Sequence, residues 1–211
     1  MVRRRSGGRP STLQSGQIQE MLLDNAAELF LAEGYGAVSI EKIAARCRMS
    51  KRTFYHRFAN KEELFAAVAH RLITRMKPEH AEHLFEGKTL EAILLRLAEI
   101  ILHAALSPEA LALHRIILAE AKRFPELAAV METEGSKAEA ITRIAALLES
   151  AACKGEIRVP DAGFAAEQFL QMVIGVPQRR AMGAGSAMTN EELAEWTRQT
   201  VALFLNGCRM S

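Results

Sequence analysis

Residues 39–61 have the sequence SIEKIAARCRMSKRTFYHRFANK. Ser39 is a favourable N-cap for a first helix. That helix places small or apolar side chains on one face at helical spacing, namely Ile40, Ile43, Ala44 and Cys47. A three-residue turn follows and ends at Ser50, which can cap a second helix. On the second helix Phe54 and Phe58 lie four residues apart, so we expect both rings to point into a core.

The second helix carries hydrogen-bond donors on its remaining faces, from Lys51, Arg52, Thr53, Tyr55, His56 and Arg57. A short exposed helix of this composition is poorly suited to an enzyme active site and well suited to the major groove of DNA. We therefore predict a helix-turn-helix that reads DNA. Arg52 and Thr53 should contact base edges, because Arg can pair with guanine and the Thr methyl can pack on that of thymine. Lys51 can serve either bases or phosphates.

Residues 17–72 resemble the DNA-binding domain of the TetR family of bacterial transcriptional regulators. The family pattern is a helix ending in F-x-x-x-G-Y/F, then T/S-x-x-x-I-A, then S-x-x-T-x-Y-x-x-F-x-x-K-E-x-L. Every spacing is kept by Phe30, Gly34, Tyr35, Ser39, Ile43, Ala44, Ser50, Thr53, Tyr55, Phe58, Lys61, Glu62 and Leu64. Two positions differ from the pattern. Arg48 stands where the family has Gly in a positive-φ turn, at a cost of about 1 kcal/mol, and Cys47 replaces Ala.

The resemblance implies further contacts to the DNA backbone, from Tyr55, His56 and Lys61. Ser39 adds a hydroxyl and a helix N-terminus, and Arg48 can add another phosphate contact. Ser50 completes this surface as the cap of the reading helix.

The N-terminal tail offers a second candidate contact. Arg9 follows Gly8 and three consecutive arginines, and such arms can enter an adjacent minor groove. The alternative is a solvated tail that only raises the association rate.

Charge is distributed unevenly along the chain. The 211 residues have a net charge of +2. Residues 1–61 contain 11 Lys and Arg against 5 Asp and Glu, giving +6, whereas residues 62–211 contain 16 against 20, giving −4. A basic N-terminal third is expected of a protein whose one end meets phosphates.

The remaining composition indicates an intracellular, non-membrane protein. The three cysteines, Cys47, Cys153 and Cys208, show no paired spacing and suit a reducing compartment. No apolar run approaches the roughly 18 uncharged residues that span a membrane. Arg3–Arg5 are not followed by an apolar stretch, so no secretory signal is expected. We predict a cytoplasmic location.

Periodicity predicts helices throughout, in an all-α chain of about nine helices. We expect a disordered basic arm over residues 1–15, a three-helix DNA-binding domain over 16–61, and a connecting helix over 61–77. The remaining residues, 78–211, should form a helical domain for effector binding and dimerisation. Within it we place helices near 89–106, 108–123, 125–154, 161–183 and 189–206.

The last two helices are the candidates for a dimer interface, because one helix-turn-helix contacts only a few base pairs and affinity requires a two-fold dimer on a palindrome. Their apolar stripes exceed what one small domain needs to bury, and the family resemblance implies a four-helix bundle between two chains. The predicted interface residues are Phe169, Val173, Val176, Leu193, Trp196, Thr200 and Phe204. The alternative is that both stripes belong to the internal core.

The middle helices combine apolar walls with a few polar groups, which is typical of a ligand pocket. The resemblance to TetR regulators implies a pocket whose occupant changes the spacing of the two DNA-binding heads. Residues 114–128 also resemble the C-terminal domain of an AefR-like subgroup. The predicted lining residues are Leu97, Ile101, His103, His114, Ile117, Phe124, Phe169 and Met172.

No catalytic, cofactor or metal site is predicted. Glu79-His80 and Glu82-His83 could in principle bind a transition metal, but no second ligand pair accompanies them, and a solvated loop is favoured. No nucleophile elbow, phosphate loop or paired-cysteine zinc spacing is present. We predict a homodimeric repressor that leaves a palindromic operator when a small apolar or aromatic effector binds. An activator, a ligand-independent orphan regulator and a protein-interaction scaffold are the alternatives.

Overall fold

The computed structural model describes residues 12–75, 85, 87–125, 127 and 136–208. Within this part of the chain it contains nine α-helices and no strand. We number them in chain order as α1 (Thr12–Glu33), α2 (Ile40–Arg46), α3 (Lys51–Tyr55), α4 (Lys61–Arg75), α5 (Leu90–Ala105), α6 (Pro108–Glu120), α7 (Ser136–Cys153), α8 (Ala162–Ala181) and α9 (Asn190–Cys208). The all-α prediction is therefore confirmed.

Some predicted boundaries differ from those of the structure. α1 begins at Thr12, so residues 12–15 are helical, although we placed them in the disordered arm. The helix predicted over 125–154 is continuous in the described residues only from Ser136, and most of its predicted first third lies outside them. The chain divides into two compact units between Ala69 and His70, within α4. The finer domain limits proposed from sequence stay predictions.

The N-terminal unit is built around an aromatic cluster. Phe30 ends the buried face of α1, and Gly34, with a φ of 84°, lets the chain leave the helix and bury Tyr35. The ring centroids of Phe30, Tyr35 and Phe65 lie 5.1–5.6 Å apart. Aromatic pairs at these distances stabilise a core beyond the burial of their area alone. This cluster joins α1 and α4.

The C-terminal unit buries a larger apolar core. Its central members come from α5, α7, α8 and α9, with Leu94, Leu148, Phe169 and Val201 fully buried. α6 packs beside α5, and an Arg115 guanidinium N–H donates to the carbonyl oxygen of Ala181 at 3.1 Å. That bond satisfies one of the carbonyl groups left without a helical partner at the end of α8.

Candidate nucleic-acid interface

The turn between α2 and α3 forms as the sequence predicts. Arg48 takes the left-handed conformation, with a φ of 51°, in the position where the family resemblance gives Gly. The backbone N–H groups of Arg48 and Met49 donate to Ala45 and Ala44 at 3.0 and 2.9 Å, which closes the end of α2. The arginine is exposed, so its strained backbone presents a cation at the surface.

Both N-caps of the motif are confirmed. The Ser39 hydroxyl accepts a hydrogen bond from the Lys42 N–H at 3.2 Å. The Ser50 hydroxyl accepts from the Thr53 N–H at 3.1 Å and also lies 2.9 Å from the Thr53 hydroxyl. This bond orients the Thr53 side chain at the start of α3, where its methyl group can contact a base.

The aromatic side chains of α3 divide between core and surface. Phe54 and Phe58 are buried, with ring centroids 6.1 Å apart, as their spacing predicts. Tyr55 packs edge-on against Phe54 but leaves 53% of its surface exposed. Arg52 and His56 are exposed as well. The apolar side of α3 is therefore anchored in the core, and its polar side is exposed to solvent.

The cations of α2 are tied to α1. Lys42 pairs with Glu33, and Arg46 pairs with Glu28 at 2.5 Å while donating to the Asn25 side chain at 3.1 Å. The exposed Arg46 side chain therefore joins α1 to α2, a role that depends on the crossing of two helices.

At the start of α3, Lys51 pairs with Glu41 from the first turn of α2. The Lys51 ammonium is the main cause that lowers the pKa of Glu41 from 4.5 to about 2, and a hydrogen bond from the Ser39 side chain adds to it. The same pairing raises the pKa of Lys51. Arg52, the next cation, forms no ion pair within the described chain. Sequence reasoning did not identify the ion pair between Lys51 and Glu41.

Lys61 has a structural role beyond the predicted phosphate contact. Its ammonium donates to the carbonyl oxygens of Tyr35 and Val38 at 2.9 and 3.0 Å and lies 4.1 Å from the centroid of the Tyr35 ring. The start of α4 is thereby fixed to the segment that leads into Ser39. A phosphate contact from Lys61 stays a prediction.

The DNA-binding residues predicted from sequence fall in one part of the N-terminal unit. Ser39 caps α2, and the turn and α3 contribute Arg48, Ser50, Lys51, Arg52, Thr53, Tyr55 and His56. Arg9 lies outside the described residues, so the proposed minor-groove arm stays a prediction.

The predicted dimer residues need correction. Four of the seven are buried within the chain itself, namely Phe169, Val173, Thr200 and Phe204. The rings of Phe169 and Phe204 pack edge-on at 5.1 Å, because the apolar stripes of α8 and α9 face each other and α5. Phe169, Val173 and Phe204 are therefore core residues of the chain itself and not interface residues. Thr200 also lines the groove described below, so it stays a candidate with the partly exposed Val176, Leu193 and Trp196.

The predicted effector pocket also needs correction. His103 lies on the exposed side of α5 with Arg96 and Glu99, so it does not occupy a position between helices. Phe169 is fully buried against Phe204 and is a core residue. Leu97 and Ile117 are buried, and the remaining predicted lining residues, Ile101, His114, Phe124 and Met172, are half-buried. Burial lowers the pKa of His114.

An open groove of about 510 Å³ lies between α8 and α9. It is lined by Gln171, Met172, Gly175, Val176, Arg179, Trp196, Gln199, Thr200 and Leu203. The Trp196 indole N–H donates to the Val173 carbonyl oxygen at 2.9 Å, which fixes the ring at the edge of the groove. Leu203 is 66% exposed and adds an apolar side chain to this groove.

The described residues contain no group of three or more His, Cys, Asp or Glu placed to hold a metal ion, and Glu79-His80 and Glu82-His83 lie outside them. None of their helices is long and apolar enough to cross a membrane.

Comparison with known protein families matches both units. The family described as bacterial regulatory proteins of the tetR family matches residues 22–68. The domain described as the C-terminal domain of AefR-like transcriptional repressors matches residues 92–207.

Individual relatives agree with this result. The chain is 36% identical over 92 residues to the transcriptional repressor ComR of Escherichia coli, a match that covers 43% of this chain and 42% of ComR. It is 31% identical over 142 residues to the E. coli transcriptional regulator UidR, covering 64% of this chain and 67% of UidR.

Solved structures extend the similarity to nearly the whole chain. A TetR-family transcriptional regulator of Mesorhizobium loti has a TM-score of 0.79 and 26% identity, covering 93% of this chain and 99% of that protein. The flavonoid-responsive regulator FrrA has a TM-score of 0.77 and 29% identity, covering 92% of this chain and 98% of that protein.

A helix-turn-helix with a capped, exposed reading helix, followed by a separate helical unit, defines the class of DNA-binding transcriptional regulators. The family matches give the same class and identify the family within it. The chain belongs to the TetR family of transcriptional regulators, with an AefR-like C-terminal domain. Members of this family are regulators rather than enzymes, and they typically act as dimers that respond to small molecules.

Proposed function

We propose that this chain is a homodimeric transcriptional repressor that binds a palindromic operator and leaves it when a small apolar or aromatic effector binds. The observation that carries the DNA-binding part is α3, whose Phe54 is buried while Arg52 and Tyr55 are exposed. A cationic helix held in solvent by a rigid apolar side has the form needed to enter a major groove.

The exposed residues of the head divide into two proposed roles. Arg52 and the Thr53 methyl contact base edges, and Lys51 contacts a base or a phosphate. The phosphate group comprises Ser39, Arg48, Tyr55, His56 and Lys61, with Arg9 in the adjacent minor groove. Ser50 acts indirectly, because its hydroxyl holds the first turn of α3. Phosphate contacts position the head, and base contacts supply specificity.

Dimerisation is proposed at the groove between α8 and α9. Met172, Val176 and Trp196 supply apolar walls that are only half-buried, and Leu203 is exposed. A second copy of the same surface, related by a two-fold axis, would bury these groups and pair two DNA-binding heads. This assignment sets aside Phe169, Val173 and Phe204 of the residues predicted from sequence, and keeps Val176, Leu193, Trp196 and Thr200.

The effector site is proposed in the C-terminal unit. Support comes from the AefR-like match over residues 92–207 and from the overall similarity to FrrA, whose name describes a response to flavonoids. Within this unit, His114 and Phe124 of the predicted set are half-buried, which leaves part of each ring accessible to a ligand. An apolar or aromatic small molecule is the class that such rings favour.

The decisive experiment selects bound duplexes from a random library with the full chain. A palindrome should be recovered, and its affinity should fall as salt rises. Flavonoids and other small aromatic compounds are then titrated into the complex, and at least one should release the DNA. If no duplex is enriched, the chain is not a sequence-specific DNA-binding protein. If DNA binds but none of the compounds releases it, the aromatic effector is excluded and the orphan regulator is favoured.

Two variants separate the proposed roles on α3. Arg52→Ala should relax preference at one base-pair position of each half-site, at a cost of about 1–3 kcal/mol on the selected sequence. Tyr55→Phe removes only the hydroxyl, so it should weaken binding to all duplexes by a similar factor and leave the preferred sequence unchanged. Repeating the selection with each variant measures both effects. If Arg52→Ala selects the same sequence as wild type, Arg52 does not take part in base recognition.

A further inference from the structure

Glu41 is an acidic residue on the surface proposed above to contact DNA. It lies in the first turn of α2, and its carboxylate pairs with the ammonium of Lys51, the first residue of α3. Both side chains are exposed, by 59% and 56%. A carboxylate beside a phosphate-binding surface opposes the approach of DNA, so its presence requires a reason.

Folding alone does not account for the pair. The contact between α2 and α3 already rests on the buried side chains of Ile43, Cys47 and Phe54. Ion pairs as exposed as this one contribute little to folding. The other two ion pairs of α2, Lys42 with Glu33 and Arg46 with Glu28, connect to α1 and involve no residue of α3.

The carboxylate is paired across the two helices. The Lys51 ammonium donates to it from α3, and the Ser39 side chain at the cap of α2 also favours its charged form. These donors lower the pKa of Glu41 to about 2, so the group stays charged at any pH at which the protein would be studied. Lys51 therefore has a charged carboxylate partner within the free protein.

We propose that Glu41 is a specificity-determining residue of the DNA-binding surface, because it neutralises Lys51 until a DNA site offers that ammonium a better partner. This inference rests on the proposed DNA-binding function. A free surface cation gains affinity for any duplex by displacing counterions from the phosphates. A cation already paired with a carboxylate gains much less. Glu41 thus suppresses sequence-independent binding more than binding to the operator.

The experiment compares wild type with Glu41→Gln on two probes, a 30-base-pair duplex of random sequence and the palindrome recovered by selection. Glu41→Gln should make the dependence of log K on log salt for the random duplex steeper by about 0.9, the value for one additional phosphate contact. Between 50 and 200 mM salt this is an additional loss of about 3.5-fold. At 50 mM salt Glu41→Gln should bind the random duplex at least about threefold more tightly than wild type does. Its preference for the palindrome should fall by a similar factor.

Glu28→Gln is the matched control. It removes the same charge from the same three-helix head, and Arg46 keeps its hydrogen bond to Asn25. If Glu28→Gln changes the salt dependence as much as Glu41→Gln does, the effect belongs to net charge and the inference is wrong. A second test places Glu41→Gln on a Lys51→Met background, where its effect on the salt dependence should shrink to that of Glu28→Gln, because only general charge repulsion is then removed. An effect as large as in the protein that keeps Lys51 would also overturn the inference.

Failure of the proposed function is recognisable separately. If wild type shows no salt-dependent binding to either duplex, DNA binding itself is refuted before any variant is compared. If wild type binds and prefers the palindrome, but Glu41→Gln leaves the slope and the preference unchanged, the DNA-binding function stands and the role of Glu41 does not.

Discussion

The two units solve the same packing problem but expose different chemistry. Each buries an apolar core under helices, with Phe65 at the centre of one and Phe169 at the centre of the other. The N-terminal unit exposes polar and cationic groups on α3, whereas the C-terminal unit exposes Phe164 and Leu203, by 63% and 66%. A cationic surface suits a polyanion, and an exposed apolar surface suits a protein partner. The exposed groups, rather than the cores, distinguish what each unit binds.

The largest expected effect comes from removing the two core rings. Phe65→Ala and Phe169→Ala should each lower the free energy of unfolding by about 3–5 kcal/mol, since each deletes a fully buried aromatic side chain. Phe65→Ala should abolish DNA binding and leave the dimer intact. Phe169→Ala should abolish both, because it disrupts the unit that carries the proposed interface. Urea denaturation measures the free energy of unfolding, sedimentation measures dimerisation, and fluorescence anisotropy measures DNA binding.

Phe164→Ala is the control for these variants, because it truncates an exposed Phe on the same helix as Phe169. Its effect on stability should stay below about 0.5 kcal/mol. If Phe65→Ala dissociated the dimer while Phe169→Ala did not, the division of roles between the units would be wrong.

A smaller effect is expected at the helix caps. The hydroxyls of Ser50 and Thr89 accept backbone hydrogen bonds at 3.1 and 3.2 Å, at the starts of α3 and α5. Replacing either residue by Ala should cost about 1 kcal/mol of stability. Only Ser50→Ala should also weaken binding to the selected palindrome, because only α3 carries the proposed base contacts. Equal losses of DNA affinity in the two variants would show that the effect reports general stability.

The N-terminal unit was predictable almost residue by residue. The two caps and the buried Phe54 and Phe58 follow from local spacing, and the positive φ of Arg48 follows from the family pattern. The ion pair of Glu41 was missed. Its partners belong to different helices, and the angle between two helices is not encoded in the spacing along either one.

The C-terminal unit shows the corresponding limit for apolar residues. Periodicity located α8 and α9 closely, but it assigned Phe169 and Phe204 to a dimer interface. An apolar stripe shows only that a helix buries one side, and the partner can be the same chain or another. The proposed partner surface rests instead on several apolar side chains that line one open groove, among them Val176, Trp196 and the exposed Leu203. His103 was misplaced for a related reason, since its polar stripe was included in the pocket.

The smallest expected effect concerns pH and belongs to the C-terminal unit. Burial lowers the pKa of His114 below its ordinary value of 6.5, so the unfolded chain binds a proton more readily than the folded one. The contribution of this group to stability is therefore complete above pH 6.5 and decreases as the pH falls below that value. His114→Gln removes the dependence. The free energy of unfolding of wild type, relative to this variant, should decrease between about pH 7.5 and 5.5. His103→Gln removes an exposed imidazole from α5 and serves as the control. A wild-type stability that increased relative to His114→Gln over the same interval would mean that the folded protein stabilises the charged imidazole, contrary to its burial.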